Sequence, residues 1–213
     1  RGKTGINFAP IKMTNLLFGI SGRKRVGKNV AANIFLSKFK VHGICAKNYA
    51  FADELKRELD PLFLLNAGVS AFTEDPIEKE LLRPTFIAWG TGYWRNKDPD
   101  HWIKKVAAQI KKEEKPHVAC ISDARFAVNE IPWIQNQGGK VIYLSRLKDD
   151  GTEFPPAGKD EEENDAPLRN LADFCLSWED FHDNLDNLAI IGSEWFYEIF
   201  GSQLDELRAK FPL

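Results

Sequence analysis

The order of apolar patterns along the chain predicts an α/β fold, with a mostly parallel sheet covered by helices on both faces. A short apolar run at 15–20 leads into a glycine-bounded basic loop. Apolar residues at helical spacing follow: Val30, Ala31, Ile34, Phe35 and Phe39. The same strand-then-helix order returns at 46–63, and further short runs at 117–121 and 140–144 alternate with helical patterns. Strands buried on both faces read as continuous apolar runs, and parallel neighbours need long crossovers of this kind.

Each element has a local reason. The loop over 21–27 separates the first strand from a helix over 28–39, and the second strand, 46–51, feeds a helix at 52–63 with Leu55, Leu59 and Leu62 inward. After a loop at 66–75, Pro76 suits the first turn of a helix reaching Trp89, with Pro84 as a kink point and Gly90, Thr91 and Gly92 as its stop. Asp98-Pro99-Asp100 is an acidic start for a helix through Trp102, Ile103, Val106, Ala107 and Ile110. A third strand at 117–121, a helix at 126–137 and a strand at 140–144 follow. A last strand is expected at 185–191 and an amphipathic helix at 193–210. Between them, residues 147–166 crowd Asp149, Asp150, Glu153, Glu161, Glu162, Glu163 and other acidic residues around Pro155, Pro156 and Gly158. That composition reads as a solvated insertion, with a mobile lid as the alternative.

The 213 residues suffice for one sizeable core. A formal charge of −2 offers no global basic field, so no nucleic acid polymer or anionic membrane is expected as partner. Cys45, Cys120 and Cys175 are odd in number and far apart, which suits a reducing, intracellular setting. No apolar run is long enough to span a membrane. His42, His101, His117 and His182 form no ligand motif. Residues 1–12, ahead of Met13, read as an extension or an edge segment, leaving 13–213 as the domain.

The strongest chemical signal is Gly22-Arg23-Lys24-Arg25-Val26-Gly27-Lys28-Asn29, a GxxxxGK loop between a strand and a helix. Glycines let the backbone wrap a polyphosphate so that several N–H groups converge on it, and the helix N-terminus adds its dipole. All eight residues are therefore candidates for holding ATP. Lys28 supplies the point charge, and Arg23, Lys24 and Arg25 add local positive potential. Asn29 stands where a Ser or Thr hydroxyl commonly meets Mg²⁺, so an amide oxygen is the expected contact. Asp123 and Arg125 follow the third strand at the sheet edge where ligands bind. Asp123 is either a Mg²⁺-side carboxylate or a capping residue, and Arg125 either an anion clamp or a surface cation.

These stretches also carry a resemblance. The loop 21–29, the segment Tyr49-Ala50-Phe51-Ala52-Asp53-Glu54-Leu55-Lys56, Trp89-Gly90-Thr91-Gly92 with Arg95 and Asp98-Pro99-Asp100-His101-Trp102, and Ser122-Asp123-Ala124-Arg125-Phe126 with Asn129-Glu130 together resemble bacteriophage deoxynucleoside monophosphate kinases. The resemblance implies a three-layer P-loop kinase fold with a monophosphate-binding region at 53–115 and a lid at 146–180. It implies γ-phosphoryl transfer from ATP, with Mg²⁺, to a deoxynucleoside monophosphate, in a homodimer of the host cytoplasm. Lys28, Asp123, Arg125 and Arg146 become the catalytic candidates. Asp53, Arg83, Trp89, Arg95 and Arg125 become the substrate-binding ones. Trp89 and Trp102 also read as core, and Trp94 as core or base-stacking. The chain departs from the family pattern at Asn29, commonly Asp, at Gly92, often Glu, and at Trp94, often Gly. Phosphomevalonate kinase and a nucleotide-binding switch are the rival readings.

Overall fold

The computed structural model describes residues 16–156, 158–180 and 185–213. The extension expected over 1–12 lies outside them. Strands β1 (Leu17–Ser21), β2 (Ala46–Tyr49), β3 (Val118–Ile121), β4 (Lys140–Leu147) and β5 (Phe174–Glu179) pair in the order β2-β3-β1-β4-β5. Every pairing is parallel, and central β1 sets Phe18 opposite Cys120 on one side and Lys140 on the other. The helices are α1 (Lys28–Val41), α2 (Phe51–Ala67), α3 (Pro76–Ile87), α4 (His101–Lys112), α5 (Glu130–Asn136), α6 (Lys159–Leu171), α7 (Leu185–Phe200) and α8 (Leu204–Lys210).

All five residues of β1 are buried, and their alternation supplies both faces of the sheet. Phe18 and Ile20 point to a core shared with Phe35 and Phe39 of α1 and Phe196 and Phe200 of α7. Within it Phe39 meets Phe196 edge-on at 4.8 Å between ring centroids, an arrangement that suits the ring quadrupoles. Leu17 points the other way, to Trp102, Ile103 and Val106 of α4 and Ile131 and Ile134 of α5. Helices on both faces make the three layers. A separate small cluster, Leu59, Phe63, Ala71 and Leu82, holds α2 and α3 together. Among the described residues no helix is long and apolar enough to cross a membrane.

Several expected elements differ. The run at 185–191 is the start of α7 rather than a strand, because Leu188, Ile191, Trp195, Ile199 and Phe200 recur at helical spacing onto α1 and the sheet. The fifth strand is instead β5, where exposed residues alternate with half-buried Phe174 and Leu176 and only Trp178 is buried. Gly90 and Gly92 do not stop the third helix: a π-helical segment, Ala88–Arg95, continues from α3, which also passes through Pro84. Leu62 is exposed, and Phe63 takes the inward position. The helix expected from 126 begins at Glu130. Half of the acidic stretch is ordered as α6, because Asp165 finds buried partners and Leu168 packs against the α4 and α5 face of the sheet.

The loop after β1 is pressed against its neighbours. Gly22 has φ 132°, and a Cβ there would lie 2.1 Å from the Leu144 carbonyl oxygen of β4. Gly27 has φ 88°, and its Cβ would meet the Trp178 ring at 2.5 Å, while Trp178 Nε1 donates to the Val26 carbonyl at 2.8 Å. Only glycine combines that dihedral with that approach. Gly22→Ala is expected to cost at least about 2 kcal/mol of stability. An unchanged urea midpoint would show that β1 and β4 can separate to admit a methyl group.

Candidate phosphate-binding cleft

A cleft of ≈ 550 Å³ opens beyond the carboxyl ends of β1, β2 and β3, where α/β sheets bind ligands. Gly22, Lys24 and Lys28 form one wall, and Gly158, Lys159 and Glu161 of the α6 start another. Phe51, Ala52 and Leu55 of α2, with Arg83 and Phe86 of α3, close the far side. Arg95, Asp123, Arg125, Phe126 and Glu130 complete it.

Lys28 is buried, and its ammonium donates to the loop's own carbonyls, Gly22 at 2.9 Å and Arg23 at 2.7 Å. Burial, then the nearby Arg125 charge, lowers its pKa to about 8, against an opposing pull from Glu161 and Asp123. The α1 helix begins at Lys28 with no side-chain cap and no acidic residue in its first turn, leaving its N-terminal dipole uncompensated. Arg25 takes φ 65°, the one left-handed non-glycine among the described residues. The Lys24 backbone N–H donates to the Glu161 carboxylate, so a side-chain anion already sits on this loop.

The remaining loop cations are not equivalent. Arg23 leaves the cleft wall, donating to the Phe154 carbonyl and, at 2.7 Å, to Asp165, whose carboxylate raises its pKa. Asp165 also accepts from the Tyr143 hydroxyl. Arg146 pairs with Asp180, donates to the Arg25 carbonyl at 3.4 Å and lies over the Phe154 ring. Both arginines thus brace the loop from behind. Lys24, by contrast, lines the cleft.

At the other end, Asp123 accepts the backbone N–H groups of Phe51 and Ala52, both at 2.8 Å. Ala50 precedes α2 without a capping side chain, and Asp123 supplies that cap from another strand. Burial raises the Asp123 pKa and these two bonds work against the rise. Arg83 lines the cleft and pairs with Glu80 at 3.1 Å. Arg95 donates to Glu130 at 2.6 Å. Arg125 lines the cleft, and among the described residues no carboxylate pairs with its guanidinium. Asp53 lies in the first turn of α2 and is not one of the residues lining the cleft. Trp89 stands outside that wall too: its Nε1 and that of Trp94 donate to one Glu58 oxygen at 3.0 Å each, and Trp94 stacks on His101 at 3.8 Å. Trp102 donates from its buried Nε1 to Gly90.

The sequence reading does not single out Lys159, and it names Glu161 only within the acidic stretch and Phe126 and Glu130 only within the motif run, without a role of their own at the cleft. In the acidic run nothing distinguishes Glu161 from Glu162 or Glu163 except the helical phase that turns it inward. Of the expected metal donors, Asn29 is exposed at the start of α1 and off the cleft wall, and both Asp123 oxygens already accept N–H bonds. Among the described residues no three His, Cys, Asp or Glu side chains gather as a metal site.

No family model and no curated protein matches the chain. Among solved structures, a shikimate kinase from Bacteroides thetaiotaomicron aligns with TM-score 0.50 and 12% identity, covering 87% of this chain and 98% of its own. A shikimate kinase from Aquifex aeolicus aligns with TM-score 0.44 and 13% identity over 84% and 96%. The chain thus has the three-layer α/β fold of P-loop kinases, with an inserted helical and lid region. The match to the Bacteroides thetaiotaomicron enzyme corrects the assignment to bacteriophage deoxynucleoside monophosphate kinases: the fold is shared with that shikimate kinase, and the deoxynucleotide acceptor and phage setting that came with the motif resemblance do not hold. At 12% identity the likeness carries the fold and leaves the acceptor to the site.

Two outcomes follow from the loop. The Lys28 pKa is near 8 in the fold and about 10.4 in an unfolded chain, so the unfolded state binds more protons between those values and stability rises with pH there. Urea unfolding at pH 7.5, 8.5 and 9.5 is expected to show wild type gaining on Lys28→Met as pH rises, and parallel curves would contradict the shift. Glu161→Gln removes the competing charge, so inorganic pyrophosphate is expected to bind roughly fivefold tighter, about 1 kcal/mol. Titration calorimetry showing equal or weaker binding would place Glu161 outside the phosphate seat.

Proposed function

We propose that the protein is a small-molecule kinase that transfers the γ-phosphoryl group of ATP to a small anionic metabolite. One observation carries the reading: a buried loop lysine and Arg125, whose guanidinium has no carboxylate partner among the described residues, line one cleft with aromatic walls. Phosphoryl transfer asks chiefly for positioning, charge neutralisation and exclusion of water. The N–H groups of 22–29 and the start of α1 would hold the β- and γ-phosphates. Lys28 would exchange the Gly22 and Arg23 carbonyls for phosphate oxygens, which also restores the solvation its ammonium lacks. Arg125, with Arg83 beside it, would receive the acceptor's anionic group over Phe51, Phe86 and Phe126. Asp123 would keep the α2 terminus, and with it Phe51, in place. The donor set offers no built metal site, so Mg²⁺ would arrive with ATP and supply charge neutralisation there.

The shikimate kinases sharing the fold make a small hydroxy acid the first acceptor to test. A coupled ADP-release assay with ATP and Mg²⁺ would include shikimate, other small hydroxy acids and phosphomevalonate. Acceptor-dependent turnover is expected, with Lys28→Ala lowering it at least about 100-fold. Arg125→Ala is expected to raise the acceptor KM while leaving that for ATP unchanged. Hydrolysis of ATP indifferent to every acceptor would replace this reading with that of a nucleotide switch.

A further inference from the structure

Glu130 is 1% exposed, yet it is a carboxylate at the edge of the cleft. One oxygen accepts from the backbone N–H groups of Arg125 at 2.7 Å and Phe126 at 3.1 Å, and the other accepts from Arg95 Nη2 at 2.6 Å. The Glu130 N–H itself donates back to the Phe126 carbonyl at 3.0 Å, so the turn that carries Arg125 is closed from both ends. Arg95 comes from a different element, the end of the π-helical segment that continues α3. Its guanidinium lies 3.8 Å from the centre of the Phe126 ring, on the same turn. A π-helical turn carries one residue more than an α-helical one, which changes the direction in which the segment presents its final side chains.

A buried ion pair is seldom the cheapest way to fill a core, so its value lies in what it fixes. We propose that Glu130 is a positioning residue for the acceptor. It clamps Arg95 and the end of the π-helical segment to the Arg125 turn, holds that turn in shape, and leaves Arg125 as the cation that reads the acceptor's anion. Arg95, expected from the motif resemblance to touch substrate, has its charge satisfied internally. Two arginines at one cleft thus do different work. The acceptor half of this inference rests on the kinase reading, and the clamp itself does not.

Phenylglyoxal labelling with peptide mapping tests the clamp without turnover. In the wild-type protein Arg125 is expected to react about tenfold faster than Arg95, with Arg23, held by Asp165, protected. Glu130→Gln keeps the shape but not the charge, and is expected to speed Arg95 labelling about tenfold while Arg23 stays protected. If Arg23 also becomes reactive the variant has lost its fold. Glu130→Asp, which keeps the charge but withdraws it, then serves, with a smaller rise expected at Arg95. Arg95 remaining protected in a variant whose Arg23 is protected overturns the clamp. With the best acceptor from the coupled assay, Glu130→Gln is expected to raise the acceptor KM about tenfold with the ATP KM within about twofold, and adding Arg95→Leu to cause no further loss. An unmoved acceptor KM, or fully additive losses, overturns the positioning role. Absence of turnover in the wild type would instead defeat the kinase reading, and the labelling would still decide the clamp.

Discussion

The chain leaves β1 so close to β4 that Gly22 has room for a hydrogen and nothing larger before the Leu144 carbonyl. That contact depends on β1 lying in register between β3 and β4, fully buried, with phenylalanines on one face and the α4 and α5 core on the other. From it the rest of the site follows. The loop must rise steeply out of the sheet, Gly27 must turn it against Trp178, and α1 must begin with its amides open to the cleft. Trp178 of β5 and Arg146 of β4, itself held by Asp180 just after β5, then brace the loop, so the position of the candidate phosphate seat is set by three strands together.

The electrostatics sort the cations by what each has for a partner. Arg23 and Arg95 are paired with buried carboxylates and act as fasteners, one to α6 and one from the π-helical segment to the start of α5. Arg146 is fastened by Asp180. Lys28 is the opposite case, an ammonium desolvated and satisfied only by neutral carbonyls, which is a poor arrangement for the charge until an anion arrives. Burial of a charge thus marks function only when its partner is missing or neutral. The half-buried arginines Arg23, Arg95 and Arg146 each have a carboxylate partner instead.

Much of this was readable from residues alone. GxxxxGK between a strand and a helix implies the loop and the lysine, and the alternation of runs implies the parallel sheet, because both are local patterns with one geometric solution. What failed was non-local. The helix at 185–191 looks like a strand over a short window and declares itself only through its packing on α1. Asp123 reads from the sequence as a Mg²⁺-side carboxylate or a capping residue, and which helix it caps, α2, is decided only by the β2 and β3 pairing that brings the two together. Arg23 and Arg95 share a residue type with Arg125 and differ only in the carboxylates the fold brings to them. The acceptor assignment came with a resemblance carried by 21–29, 49–56, 89–102 and 122–130, and that resemblance departs from the family pattern at Gly92 and Trp94, beside the residues expected to choose a substrate.

The helices that wall the far side of the cleft have little core of their own. Leu59, Phe63, Ala71 and Leu82 are the buried members of the cluster joining α2 to α3, against the far larger clusters on either face of the sheet. So small a unit opens at lower free energy than the sheet and acts as a separate cooperative block. Amide hydrogens of α3 should therefore exchange faster than those of β1, through an excursion that leaves the phosphate loop intact. Equal protection in both would show that the block has no independence. Such a partition gives the protein a stiff end that keeps its geometry and a yielding end that can open without disturbing it.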